Sequence, residues 1–189
     1  MQTWLMKKRE NGMMPRFLDV EASPLSMDSY PIEVGWSDNQ GKIESHLINP
    51  YSVENWTDWD YNAQKIYGIS RKQCREEGIS PEKLCHRMKN SISRGEVIYA
   101  DGGGFDRNWI DVLFQEGTQI GYAKFNIVHS DAVMLLLLQK IEFEEKKVWQ
   151  LYENLKIEAR KMVDGRHRAE VDVQYLIELY KLCIAKIHI

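Results

Sequence analysis

The stretch Arg16-Phe17-Leu18-Asp19-Val20-Glu21-Ala22 decides how this chain is read. Its apolar, partly branched residues mark a strand. At a period of two, Phe17, Asp19 and Glu21 share one face, and Leu18, Val20 and Ala22 the other. Two carboxylates side by side on a largely buried strand repel each other and lose hydration. Unless a cation compensates them, at least one is driven neutral. A hard divalent ion such as Mg²⁺ takes carboxylate oxygens in this arrangement. The plainer alternative is a strand end whose acids reach solvent, and a D-x-E arises about once by chance in a chain of this size.

Downstream of this strand, the pattern predicts a hairpin over 32–36 and 43–48, turned through Asp38-Asn39-Gln40-Gly41. A Trp- and Asp-rich loop leads to a short helix over 60–67. Ser80-Pro81-Glu82 has the order of N-cap, first-turn proline and first-turn acid, which opens a helix to about 92. Strands are predicted over 96–100 and 122–128, with a helix between them ending near 114. One or two helices cover 131–162, Asp164-Gly165 breaks the run, and a last helix starts near 168. Three early strands followed by alternating helices and strands indicate an α/β domain on a mixed sheet.

Two more acidic signals follow. Asp106 comes after Asp101-Gly102-Gly103-Gly104-Phe105, and Trp109, Ile110 and Leu113 continue the inward stripe it begins. A helix N-cap explains Asp106 equally well; the glycines let backbone come close to a ligand. Near the C-terminus, Ala169, Asp172, Leu176 and Leu179 share a helix face, so Asp172 points to the core and needs a cationic partner. His167 reaches the same site only from the loop after Asp164-Gly165, since five residues on one helix turn through about 140°. Otherwise it is a surface histidine. The chain has one D-x-E and one His followed five residues later by Asp, in an order that can converge at one sheet edge.

Composition sets limits. The chain has 189 residues, 43% hydrophobic and 28% charged with the signs interspersed, which suits one globular domain. A net charge of −3 excludes a protein that grips a long duplex by many phosphates and leaves room for a short stretch near a strand end. The apolar run Ala132 to Leu138 is far short of a membrane span. The three cysteines form no C-x-x-C pair, as expected of reduced thiols in the cytoplasm. Residues 1–15, basic but without an apolar signal-peptide core, are read as an N-terminal arm, and 16–189 as a single domain.

The three acidic segments together resemble the DEDDh exonucleases of the ribonuclease-H-like superfamily, which includes proofreading polymerase subunits, oligoribonuclease and ribonuclease T. Phe17-Leu18-Asp19-Val20-Glu21 is similar to the first motif, and Tyr99 to Asp106 with Trp109 to the second. His167-Arg168-Ala169-Glu170-Val171-Asp172 is similar to the third, H-x-A-x-x-D. The stretch from Trp59 through Ala63 to Gly68-Ile69 resembles the segment between the first two motifs. The resemblance implies a ribonuclease-H-like α/β fold with a mixed five-stranded sheet flanked by helices. It implies two Mg²⁺ or Mn²⁺ ions held by Asp19, Glu21, Asp106 and Asp172, with His167 as general base. The activity implied is 3′→5′ removal of nucleoside 5′-monophosphates from the 3′ end of a single-stranded nucleic acid. Single-stranded RNA or short oligonucleotides are preferred narrowly over DNA. A DNA proofreading or repair exonuclease and a non-catalytic binding module are the alternatives. Where many relatives carry Thr-Gly after the first motif, this chain has Ala22-Ser23-Pro24-Leu25. The Ala22 N–H is assigned to a terminal sugar hydroxyl, Leu25 to a wedge against the last base, and Trp59 and Phe105 to substrate contact.

Other features have plainer explanations. Trp56 and Trp59 either stack on bases or plug the core. Arg71, Lys72 and Arg75 make a solvated basic cluster, and Cys85-His86 lacks a second pair of zinc ligands. Phe143, Trp149 and Leu151 are placed on a long helix as core or as the seam of a homodimer.

Overall fold

The computed structural model describes residues 13–23, 28–165 and 167–187. Five strands form one sheet in the order β3-β2-β1-β4-β5: β1 Arg16–Ala22, β2 Pro31–Ser37, β3 Ile43–Leu47, β4 Val97–Ala100 and β5 Asn126–His129. β1, β2 and β3 are antiparallel neighbours, while β1, β4 and β5 run parallel. The sheet is therefore mixed and five-stranded, as expected. Seven α-helices flank it among the described residues: α1 Tyr61–Tyr67, α2 Arg71–Glu77, α3 Pro81–Ser91, α4 Gly104–Gly117, α5 Asp131–Leu138, α6 Glu145–Lys161 and α7 Ala169–Ile187.

The period-two alternation of β1 divides the interior in two. Leu18 and Val20 join Val34, Trp36, Ile98 and Ala100 in a core closed by α3 and α4. On the opposite face Phe17 and Tyr99 pack with the apolar stripes of α5, α6 and α7. Local chemistry sets many boundaries. Asp38 Oδ1 accepts from the amides of Gln40 and Lys42 in the β2–β3 turn. The Ser80 hydroxyl caps α3 with Pro81 in its first turn. Asn39 exchanges hydrogen bonds with Met14, so the end of the expected arm is tied to that turn; residues 1–12 lie outside the described residues. No helix among the described residues is long and apolar enough to cross a membrane.

Several sequence expectations change. α2 was read only as a basic cluster, but Ser70 caps it and Cys74 buries its inner face. Arg71 turns inward to the Trp56 carbonyl, 3.2 Å away. The last strand is Asn126–His129, not 122–128; residues 118–125 make a turn that buries Ala123 and Phe125. Phe143 precedes α6 and is 91% exposed, so it is not core. Trp56 stacks on Tyr30 at 5.0 Å and is core.

Candidate active site

The carboxylates gather where the parallel strands end, the edge at which open α/β sheets bind ligands. Asp19 and Glu21 project from β1 toward α7; Gly35 and Glu33 of β2 lie opposite them on the same face. α7 delivers Asp172 there, and one oxygen from each of Asp19, Glu21 and Asp172 falls within 4.8 Å of the others. Asp106 enters from α4. It is not the N-cap of that helix, a place taken by Gly103, but lies in the first turn and is 2% exposed. Its Oδ2 is buried without a hydrogen-bond partner. Gly102 makes room for it, since a Cβ there would stand 2.8 Å from that oxygen.

The electrostatics follow from this crowding. Burial, then the charges of Asp106, Glu21 and Asp172, hold the Asp19 carboxyl well above the usual range. Burial first, then Asp172 and Glu33, push Glu21 up to about 8. Asp106 is raised to about 7, chiefly by burial, while the amides of Gly102 and Val20 pull it back. Three adjacent acids that resist ionisation, one with an unpaired buried oxygen, form a donor set that fits hard divalent cations.

His167 occupies the loop before α7, as anticipated. It is a non-glycine residue in the left-handed region, at φ 57. Histidine tolerates this region better than most side chains. The conformation lets its own N–H donate to Asp172 Oδ2 at 2.8 Å. The imidazole is exposed, with its ring 6.0 Å from that of Tyr67. The cation expected at Asp172 is Arg160, at the end of α6, whose Nη1 donates to Oδ1 at 2.8 Å.

The remaining expected contacts are scattered along the rim. Ala22 is buried at an irregularity of β1 opposite Pro31. Trp59 is half-buried and donates to Gln64 Oε1 at 3.0 Å. Phe105 is 64% exposed, 6.0 Å from the ring of Trp109. Leu25 lies outside the described residues. Asp101, ahead of the three glycines, accepts from Ser130 Oγ and clusters with His129 and Asp131, mostly in solvent.

Sequence reasoning missed three residues. Tyr67, at the end of α1, has its phenol raised by burial and by the charges of Glu21, Asp60 and Asp19. Arg160 carried no signal in the sequence. Glu33 did: it is a lone charge inside Pro31-Ile32-Glu33-Val34-Gly35-Trp36, a strand buried throughout.

By sequence, no family model matches the chain and no curated protein matches it. By structure the likeness is extensive. The zinc-bound complex of E. coli exonuclease I with single-stranded DNA superposes with a TM-score of 0.62 at 15% identity, over 92% of this chain and 41% of that one. The ribonuclease-H-like exonuclease fold is the fold of this chain. Exonuclease I from Methylocaldum szegediense shares it with a TM-score of 0.58 at 13% identity, over 91% of this chain and 41% of that one. A full-length 3′-exonuclease shares it with a TM-score of 0.51 at 16% identity, over 90% of this chain and 80% of that one. The chain thus spans about two fifths of the length of the exonuclease I proteins that have this exonuclease fold.

Proposed function

We propose that the protein is a metal-dependent 3′→5′ exonuclease that releases nucleoside 5′-monophosphates from single-stranded RNA or short oligonucleotides. The observation that carries this reading is the convergence of Asp19, Glu21 and Asp172 within 4.8 Å, beside the unpaired buried oxygen of Asp106. Four carboxylates so placed suit two Mg²⁺ or Mn²⁺ ions. When bound, such a pair activates water and stabilises the leaving 3′-oxygen of an in-line displacement. His167, exposed and tethered through its own amide to Asp172, takes the proton of the attacking water. At the rim, Phe105 and Trp59 offer aromatic faces to the terminal bases. The Ala22 amide and Leu25 are assigned to the last sugar and base.

Single-stranded DNA is the second substrate reading, favoured by the exonuclease I neighbour in complex with single-stranded DNA. Three buried cysteines that form no disulfide agree with a cytoplasmic setting.

The deciding experiment is digestion of 5′-labelled single-stranded RNA and DNA of matched sequence with Mg²⁺ or Mn²⁺, beside Asp19→Ala and an EDTA control. A ladder shortening from the 3′ end, abolished by both controls, is expected, with RNA degraded faster. Faster degradation of DNA selects the second reading. A folded, metal-binding protein that shortens neither strand is a binding module.

A further inference from the structure

Beside the carboxylates lies a cleft of about 620 Å³ between α6 and α7. Its wall toward the candidate active site contains Asp172, His167 and Asp101, and its far wall is the face of α6 that carries Lys156, Ile157, Arg160 and Lys161. Tyr175 of α7 supports it. The lining carries three cations, Lys156, Arg160 and Lys161, against three acids, Asp101, Glu153 and Asp172; of these cations Lys161 is the one with no acid partner among the described residues.

Arg160 is held in a definite pose. Its guanidinium carbon lies 3.8 Å from the centroid of the Tyr175 ring, and Nη1 donates to Asp172 Oδ1 at 2.8 Å. Asp172 is its hydrogen-bond partner among the described residues, so the other donors of the fork serve no protein acceptor there. Stacking on a ring and pairing on one edge leave a planar fork with its remaining edge fixed in direction, the geometry that suits a phosphate. Lys156 lies four residues away on the same helix face, 3.3 Å from Glu153 Oε1. Lys161 is exposed at the mouth of the cleft. Ile157, 58% exposed, gives this polar wall an apolar strip suited to a ribose.

We propose that this cleft binds a backbone phosphate of the single strand whose end lies at the carboxylates, with Arg160 bridging that phosphate to Asp172 and Lys156 and Lys161 supplying charge. This inference rests on the exonuclease reading and adds to it the route by which the strand leaves the reacting centre. Arg160 is a positioning residue: it orients the Asp172 carboxylate and the strand together. The released nucleoside 5′-monophosphate carries a phosphate of the same chemistry, and the test separates the two.

The test is fluorescence anisotropy of a labelled single strand in Ca²⁺ at several salt concentrations, for the wild type, Arg160→Gln, Arg160→Lys and Lys161→Gln. Mn²⁺ binding is followed in parallel by electron paramagnetic resonance. Arg160→Gln is expected to weaken strand binding about tenfold and to lower the slope of log affinity on log salt by about 0.7. Lys161→Gln, which removes an exposed charge bonded to none of the site carboxylates among the described residues, lowers the slope similarly with Mn²⁺ affinity unchanged. Arg160→Lys keeps the slope but loses part of the affinity, because the fork is gone.

Wild-type affinity and slope in both glutamine variants overturn the proposal. So does an Arg160→Gln defect confined to Mn²⁺ binding with Lys161→Gln unaffected, which makes the arginine a support for Asp172 alone. Loss of competition by a nucleoside 5′-monophosphate with strand affinity intact assigns the cleft to product instead. Failure of the wild type to bind any strand overturns the exonuclease reading itself, and this inference with it.

Discussion

Glu33 grips Arg168 through both carboxylate oxygens, Oε1 accepting from Nη2 at 2.8 Å and Oε2 from Nε at 3.0 Å. The same Oε2 accepts from the amide of Ala169 at 2.9 Å, where α7 begins. One buried acid in the middle of β2 thus anchors the loop and helix that carry His167 and Asp172. A two-oxygen grip on arginine fixes orientation as well as distance. Glu33 also sits opposite Glu21 in the sheet and contributes to the rise of that carboxyl.

Glu33→Gln keeps the shape of this anchor and removes its charge. The arginine left behind is 41% exposed and can be hydrated, so the loss is that of charge-assisted hydrogen bonds, about 1.5–2 kcal/mol. The urea midpoint is expected to fall accordingly, and nuclease activity to fall with it because His167 and Asp172 lose their common support. An unchanged midpoint would show that the anchor contributes nothing.

Gly35 lets α7 approach. A Cβ at this position would lie 2.8 Å from the carbonyl carbon of Ala169 and 2.9 Å from its oxygen, both backbone atoms. Gly35→Ala is therefore expected to cost about 1–3 kcal/mol. Activity should fall further than stability alone explains, since the displaced helix takes Asp172 with it. Thermal melts and digestion rates measured below the melting range separate the two effects.

The metal-free protein should lose stability as pH rises. Folding lifts Glu21 from 4.5 to about 8 and Asp106 from 3.8 to about 7, so the folded state holds protons that the unfolded chain releases. The proton-linked stability is complete below the ordinary carboxylate range and is lost as pH climbs through about 7 and 8. In EDTA, Tm is expected to decline across that window. Saturating Mn²⁺ flattens the decline, and its binding at neutral pH releases roughly one to two protons. Calorimetry in buffers of different ionisation enthalpy counts them.

Asp106→Asn replaces a buried carboxyl, one oxygen of which has no partner, with a neutral amide. The variant is expected to melt higher than the wild type in EDTA and to lose at least about a hundredfold in activity. A lower Tm in EDTA would mean that the Asp106 carboxylate stabilises the fold.

His167→Ala is expected to lower kcat by about 10²–10⁴ while leaving Mn²⁺ binding intact. His167→Gly should be as inactive yet more stable than His167→Ala, because glycine enters the left-handed region without strain. Equal stabilities would show that the φ of 57 costs nothing here.

Much of this was legible in the chain. β1 has the bounds that its alternation dictates, the start of α3 was readable from its capping residues, and the stripes of α4 and α7 were readable because a helix must bury one face. Asp19, Glu21, Asp106, Asp172 and His167 could be nominated because each sits at a fixed offset inside a local element. The turn at 118–125 and the helix α2 escaped, since their order comes from burying Ala123, Phe125 and Cys74 against distant partners. Phe143 misled for the converse reason: an aromatic residue in a helical register does not say whether anything lies above it.

What the sequence determined by itself was the set of local periodicities, and with them a mixed α/β sheet and an acid cluster at one strand. Only the tertiary structure decided what surrounds the acids. Arg160 meets Asp172 from another helix, Glu33 grips Arg168 across 135 residues, and Gly35 admits the backbone of Ala169. Such pairings depend on where whole elements pack, and side-chain periodicity specifies the face an element buries without specifying its partner.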